Sequence, residues 1–187
     1  MERKHGPWTI RETAEKYRDE FIAVSADSVT RPDGKPGTYA TVRMKPGVSV
    51  LPVEPDGTVY LTRQFRYAVG AESVEAVSGG IEDEDEAATA RKELREELGI
   101  EAEELISLGR MDMDTSIVRS PVALFLARGL KFTEAEQEGT ERIEPFKTTL
   151  EQAVAMVLQS EITHGPSCVL ILKAARFLEG RKSGAIT

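Results

Sequence analysis

The stretch from Ser78 to Ile100 limits what this chain can fold into more than any other. It opens on the pair Gly79-Gly80, then runs from Asp83 to Leu98 through Ala, Glu, Lys, Arg and Leu with no Gly or Pro, and reaches Gly99. Nearly every position in that run favours helix, and Gly99 is a suitable stop for it. At about 100° per residue, Glu86, Glu93, Glu96 and Glu97 share one arc of the helix, while Ala87, Ala90, Leu94 and Leu98 fill the neighbouring arc. The helix is therefore expected to carry an acidic face beside a core-facing one. Glu93 and Glu97 are one turn apart, so their side chains start only ~5–6 Å from each other, and like charges at that spacing are mildly destabilising without a counter-ion. Mg²⁺, with its preference for oxygen ligands, would relieve that cost. A solvated surface helix, its acids neutralised locally by Arg91, Lys92 and Arg95, has the same composition, and spacing alone does not choose between the two.

Around this segment the chain reads mostly as strand. Residues 8 to 44 alternate between apolar and polar across the wide turn Arg31 to Gly37, which predicts a hairpin. Val48 to Val53 and Thr58 to Phe65, joined through Glu54-Pro55-Asp56-Gly57, predict a second strand pair with an Asp-Gly turn. A short strand is expected through Val74 to Val77, stopping at Gly79-Gly80, with further strands at Leu105 to Arg110 and at the apolar run Val122 to Ala127. Lys131 to Glu144 is polar and acid-rich and reads as a mobile loop. Two helices are expected near the end, Leu150 to Gln159 and Pro166 to Leu178, the second opened by a proline suited to a first helical turn.

Composition excludes several classes. The 187 residues suffice for one globular domain with a sizeable core, or for one domain with a small accessory piece. The formal charge of -8, from 24 basic and 32 acidic residues, argues against a general binder of nucleic acid or of anionic membranes. The single Cys168 cannot form an internal disulfide or anchor a cysteine-based zinc site, so a reducing, cytoplasmic setting is expected. No apolar run approaches the ~18 residues of a membrane span, and the start, Met1 to Gly6, lacks the apolar segment of a signal peptide.

The order of the whole Ser78–Ile100 segment resembles the Nudix hydrolase family, whose box is written G-x5-E-x7-R-E-U-x-E-E-x-G-U with U a bulky aliphatic residue. Glu93-Leu94-Arg95-Glu96-Glu97-Leu98-Gly99-Ile100 fits the second half without a gap, and Glu84 falls at the earlier Glu. Lys92 stands where the family has Arg, and it keeps the charge without the bidentate fork. Counting back places Ser78 at the first Gly, which a one-residue deletion in the following loop explains, Gly79 then taking the first-glycine role. Beyond the box, Arg31-Pro32-Asp33-Gly34, Val59 to Tyr67, Phe125 to Leu130 and Glu161-Ile162-Thr163 look like the ADP-ribose and nucleoside-diphosphate-sugar pyrophosphatase branch.

That resemblance implies an α+β fold: an α/β/α Nudix sandwich with a mixed sheet over residues 46–187, preceded by a small N-terminal β-subdomain, residues 1–45, exchanged across a homodimer. It also implies an enzyme that hydrolyses the pyrophosphate bond of ADP-ribose or a related nucleotide sugar with Mg²⁺, or Mn²⁺ as a substitute. Glu93, Glu96 and Glu97 would be the metal ligands, with the backbone carbonyl of Ser78 as a further donor. A base would come from the acid-rich loop, as Glu138 or Glu141. Arg66 matches a phosphate-holding arginine, a task that suits its fork, with Arg43 or Arg63 assisting, and Tyr39 or Phe21 would stack on the base. ADP-ribose hydrolases of this branch usually carry a Pro about sixteen positions past the box. None stands in Met111 to Ser120, so a sugar such as GDP-mannose stays open. A Nudix-fold module that binds a nucleotide sugar without turning it over is the alternative.

Overall fold

The computed structural model describes residues 2–82, 85–136 and 142–182. In chain order its elements are β1 (Arg3–His5), β2 (Trp8–Arg18), β3 (Ile22–Thr30), β4 (Pro36–Met44), β5 (Gly47–Pro52), β6 (Thr58–Arg66), β7 (Ala71–Glu75), β8 (Val77–Gly80), α1 (Glu86–Leu98), β9 (Ile100–Asp112), β10 (Val118–Arg119), β11 (Pro121–Phe132), β12 (Glu144–Thr149), α2 (Leu150–Leu158) and α3 (Gly165–Lys182). They form two compact units. The first runs to Pro46 and also takes in Asp112–Pro121, and the second holds Gly47–Met111 and the chain from Val122 onward.

The first unit is one sheet in the order β1-β2-β3-β4-β10. The β3–β4 hairpin closes over the turn at Arg31–Lys35, where Gly34 has φ +80° and the Asp33 carboxylate accepts from the Lys35 amide at 3.1 Å. Two residues of the later chain, Val118 and Arg119, add a short parallel strand to β4, which sequence reasoning did not expect.

In the second unit the alternation along β11 builds the layers. Ala123, Phe125 and Ala127 pack into a core with Val48, Val50, Val77 and the α1 residues Ala90, Leu94 and Leu98. Val122, Leu124 and Leu126 point the other way, into a core with Leu51, Leu61, Ala153, Leu170 and Ala174. A strand buried on both faces reads as one continuous apolar run, hence the unbroken Val122–Ala127. Helix α1 therefore lies on one side of the mixed sheet β8-β5-β11-β9, and α2 and α3 lie on the other.

Two strand expectations need correcting. β5 and β6 do not pair as a hairpin, because β5 runs parallel to β11 and antiparallel to β8, whereas β6 lies between β7 and β12 in a second sheet. The Asp-Gly turn is present, with Gly57 at φ +90°, and its arms are joined at its base by the bridge Val53↔Val59 and by the Glu54 amide donating to Thr58 O at 2.8 Å, but Val53 turns its own amide to Ala127 O at 2.9 Å and no ladder follows. The expected strand Val74–Val77 is likewise two strands, β7 and β8. They part at Ala76, whose amide is taken by the Ser167 hydroxyl at 2.8 Å instead of by a neighbouring strand.

Candidate active site

Helix α1 begins where Asp85 accepts from the Ala88 amide at 2.7 Å and stops at Gly99 in the left-handed conformation, φ 61°. Glu84, the earlier Glu of the box pattern, lies outside the described residues. The buried positions of α1 are Thr89, Ala90, Leu94, Glu97 and Leu98. Ala87, expected to face the core, is exposed, and Thr89 takes that place with its hydroxyl donating to Asp85 O at 3.0 Å. The helix has turned enough to carry one glutamate of its acidic face inward. Glu97 is only 6% exposed, and its Oε2 is enclosed with no hydrogen-bond donor among the described residues, although the side chain is not without other interactions.

Beneath the helix, β8 brings the glycine turn against Glu93. A Cβ added at Gly79 would stand 2.6 Å from Glu93 Oε2 and closer still to Oε1 and Cδ, so the carboxylate occupies the space that any other residue would fill. Ser78 is fixed alongside, its Oγ 3.0 Å from Ser49 Oγ and 2.9 Å from the Ala76 carbonyl. Glu96 is half-buried on the same helix. Two of the cations near these acids are engaged elsewhere: Arg91 donates to the Ala102 carbonyl, and Arg95 pairs with Glu136 at 3.4 Å. Glu86, drawn into the same arc by periodicity, is tied to Arg110 at 2.6 Å.

The donors suit a hard divalent cation. Two carboxylates one helical turn apart, one of them buried, are a partial oxygen set of the kind Mg²⁺ completes with water and phosphate oxygens. Among the described residues no three His, Cys, Asp or Glu side chains already stand close enough together to hold a metal ion. Glu138 and Glu141, the two expected candidates for a base, lie outside the described residues. The segment that leads to them is clamped to the end of α1: Thr133 donates its amide to Gly99 O at 2.7 Å and its hydroxyl to the same oxygen at 3.1 Å. A side chain at Gly99 would approach Ala135 N to 2.8 Å.

Arg66, the expected phosphate ligand, forks onto Glu75, with Nε to Oε1 at 3.0 Å and Nη2 to Oε2 at 2.6 Å. Its side chain is 37% exposed against 3% for Glu75. His164 Nδ1 lies 3.4 Å from Glu75 Oε2 and 2.8 Å from Ser167 Oγ. Burial alone pushes the Glu75 carboxyl up, but the Arg66 fork, His164 and Ser73 together hold it below its ordinary value. Burial pushes the His164 imidazole down, and the Arg66 charge adds to that against the opposing pull of Glu75. Sequence reasoning gave neither Glu75 nor His164 a role. The available signal was a single acid between the apolar Val74 and Ala76, ahead of the glycine turn.

The remaining candidates have other surroundings. Arg63 stands over the Phe146 ring, 4.8 Å from its centre. Tyr39 and Arg43 belong to the first unit. There the Tyr39 hydroxyl donates to Ser116 O at 2.6 Å and its ring meets Trp8 edge-on at 5.5 Å, with the residue 36% exposed. Phe21, by contrast, is 65% exposed and lines a cleft of about 240 Å³ with Arg18, Arg43 and Lys45.

A family model described as the NUDIX domain matches residues 43–164. An ADP-ribose pyrophosphatase from Bacillus subtilis (strain 168) is 29% identical over 149 residues, spanning 78% of this chain and 80% of that protein. A GDP-mannose pyrophosphatase from Citrobacter koseri is 33% identical over 123 residues, spanning 61% of this chain and 64% of that protein. Among solved structures, the crystal structure of an ADP compounds hydrolase superposes with a TM-score of 0.82 at 19% identity, covering 96% of this chain and 97% of the other, a likeness of fold.

Proposed function

Because this chain belongs to the Nudix family, we propose that it hydrolyses the diphosphate bond of ADP-ribose or a related nucleoside-diphosphate sugar, giving a nucleoside monophosphate and a sugar phosphate. The observation that carries this reading is the placement of the Glu93 carboxylate over Gly79 with the buried Glu97 one turn further along the same helix. A solvated acidic face does not bury a carboxylate, because transfer of a charge out of water is costly unless something opposes it. The likenesses to an ADP-ribose and a GDP-mannose pyrophosphatase support the substrate class.

Glu93 and Glu97, with Glu96 and the Ser78 carbonyl, would hold the divalent cation, Mg²⁺ or Mn²⁺ in its place. Bound there, it would neutralise phosphate charge and lower the pKa of a coordinated water. Arg66 receives a phosphate oxygen on the guanidinium edge that does not face Glu75. Glu138 or Glu141 takes the proton from the attacking water while the bridging oxygen leaves with the other phosphate. Arg43 or Arg63 would assist with phosphate, and Phe21 or Tyr39 would stack on the base. The assembly is a homodimer, in keeping with the branch that the sequence resembles.

The test is purified protein with ADP-ribose, GDP-mannose, ADP-glucose, diadenosine phosphates and nucleoside triphosphates, with Mg²⁺ and with EDTA, products separated by chromatography. The expected result is metal-dependent AMP and ribose 5-phosphate, or the matching pair from another nucleotide sugar. Tight binding of these ligands without products would favour the non-catalytic module instead.

A further inference from the structure

The network behind Arg66 has more parts than an ion pair needs. The end of β7 and the start of α3 meet there. Ser167, fully buried, accepts the Ala76 amide at 2.8 Å, and its Oγ lies 2.8 Å from His164 Nδ1, which also stands 3.4 Å from Glu75 Oε2. With its hydroxyl held between an amide and an imidazole, Ser167 anchors Ala76, the residue at which the chain leaves one sheet for the other. Glu75 precedes it directly, so both of its carboxylate oxygens are fixed where the fork from Arg66 meets them. The fork uses Nε and Nη2. The plane of the guanidinium, and so the direction in which its outer edge offers hydrogens, is set through Glu75 from α3.

We propose that His164 is a positioning residue for substrate: through Ser167 and Glu75 it holds the Arg66 guanidinium in the plane that receives a phosphate oxygen of the nucleoside diphosphate. This deepens the proposed function and rests on it for the identity of the ligand. His164 touches neither substrate nor reacting atoms, so its loss is expected in binding rather than in the chemical step. Asparagine places an amide group close to the position of the imidazole Nδ1 and can pair with Ser167 Oγ as donor or as acceptor. Alanine and leucine cannot.

The experiment compares His164→Ala, His164→Leu and His164→Asn with the parent protein in steady-state hydrolysis of ADP-ribose with Mg²⁺. Calorimetric titration with ADP and the NMR signal of the Arg66 Nε–H accompany it. The expected result is a KM raised about tenfold in the alanine and leucine variants, with kcat within threefold of the parent, and both constants restored by asparagine. Affinity for ADP falls by a similar factor, and the Arg66 Nε–H signal, sharp in the parent and the asparagine variant, broadens in the other two. An unchanged KM and an unchanged Arg66 signal in His164→Ala overturn the proposal. So does a loss confined to kcat, or a loss that asparagine fails to restore. If the parent turns over no substrate, the hydrolase reading fails by itself. The ADP titration and the Arg66 signal then still decide whether His164 sets the anion site.

Discussion

Gly79→Ala separates the site from the fold more cleanly than any other single change. The backbone at Gly79 is not in the left-handed region, so alanine introduces no conformational strain. The added methyl instead meets the Glu93 carboxylate, with Oε2 at 2.6 Å and two further atoms closer. To regain ordinary contact, about 3.5 Å, the carboxylate has to retreat by at least roughly 1 Å. That movement costs little stability, because what yields is the end of a flexible side chain rather than packed backbone. A misplacement of about 1 Å in a catalytic constellation costs on the order of 100-fold in rate, or about 2.7 kcal/mol of barrier. The assay is kcat/KM for nucleotide-sugar hydrolysis with Mg²⁺, alongside urea denaturation in EDTA. The expected outcome is a loss near 100-fold with stability within about 1 kcal/mol of the parent. Activity within threefold of the parent in a folded variant would falsify the assignment of Glu93 as a ligand held by its place over Gly79.

Glu97→Gln keeps the shape of the buried side chain and removes its charge. Metal-dependent turnover should fall on the order of 1000-fold while the melting temperature in EDTA holds or rises, since an ionised carboxylate is costly to bury; a turnover loss that tracks unfolding would contradict this. Ser160, the one non-glycine at positive φ among the described residues, 61°, ends the turn after α2, and Ser160→Gly should raise stability by about 1 kcal/mol in chemical denaturation, with a destabilised variant as the refuting result. Asp85→Ala removes the cap of α1 and should cost about 1 kcal/mol, measurable in the same way, whereas no change would mean that the cap is idle. Glu75 and His164 both have folded pKa values below their ordinary 4.5 and 6.5, so each binds fewer protons folded than unfolded. The stability that each contributes is complete above those ordinary values and is lost as pH falls through the folded ones. Denaturation curves from pH 7 to pH 3 should show a decline that begins below about 6.5 and steepens below about 4.5. Glu75→Gln should flatten the lower part, and an unaltered slope there would remove Glu75 from the account.

Much of the second unit was legible because its signals are local. The stop at Gly99 and the apolar run of β11 each fix their own element, and the E-L-R-E-E spacing places Glu93 and Glu97 whatever the tertiary context. Pairing was less legible, because it depends on which sheet a strand joins. The Asp-Gly turn at Gly57 predicts adjacency, yet its two arms pair with β11 and β12, partners far away in sequence. The Arg66–Glu75–His164–Ser167 network was not legible for the same reason. Its members lie on β6, β7 and the start of α3, and nothing local in an isolated histidine before Gly165-Pro166 points to a carboxylate in a distant strand. Ala87 misled because helical periodicity assigns an arc without saying how far the helix rolls toward the sheet.

The most direct test of the central claim is hydrolysis of ADP-ribose and GDP-mannose by the parent protein and by Glu97→Gln, side by side with Mg²⁺ and with EDTA, followed by ³¹P NMR. The account predicts that the diphosphate signals give way to two phosphomonoester signals only for the parent protein with metal. Persistence of the diphosphate signals in that sample, from a protein shown to be folded, would contradict it, as would equal hydrolysis by Glu97→Gln.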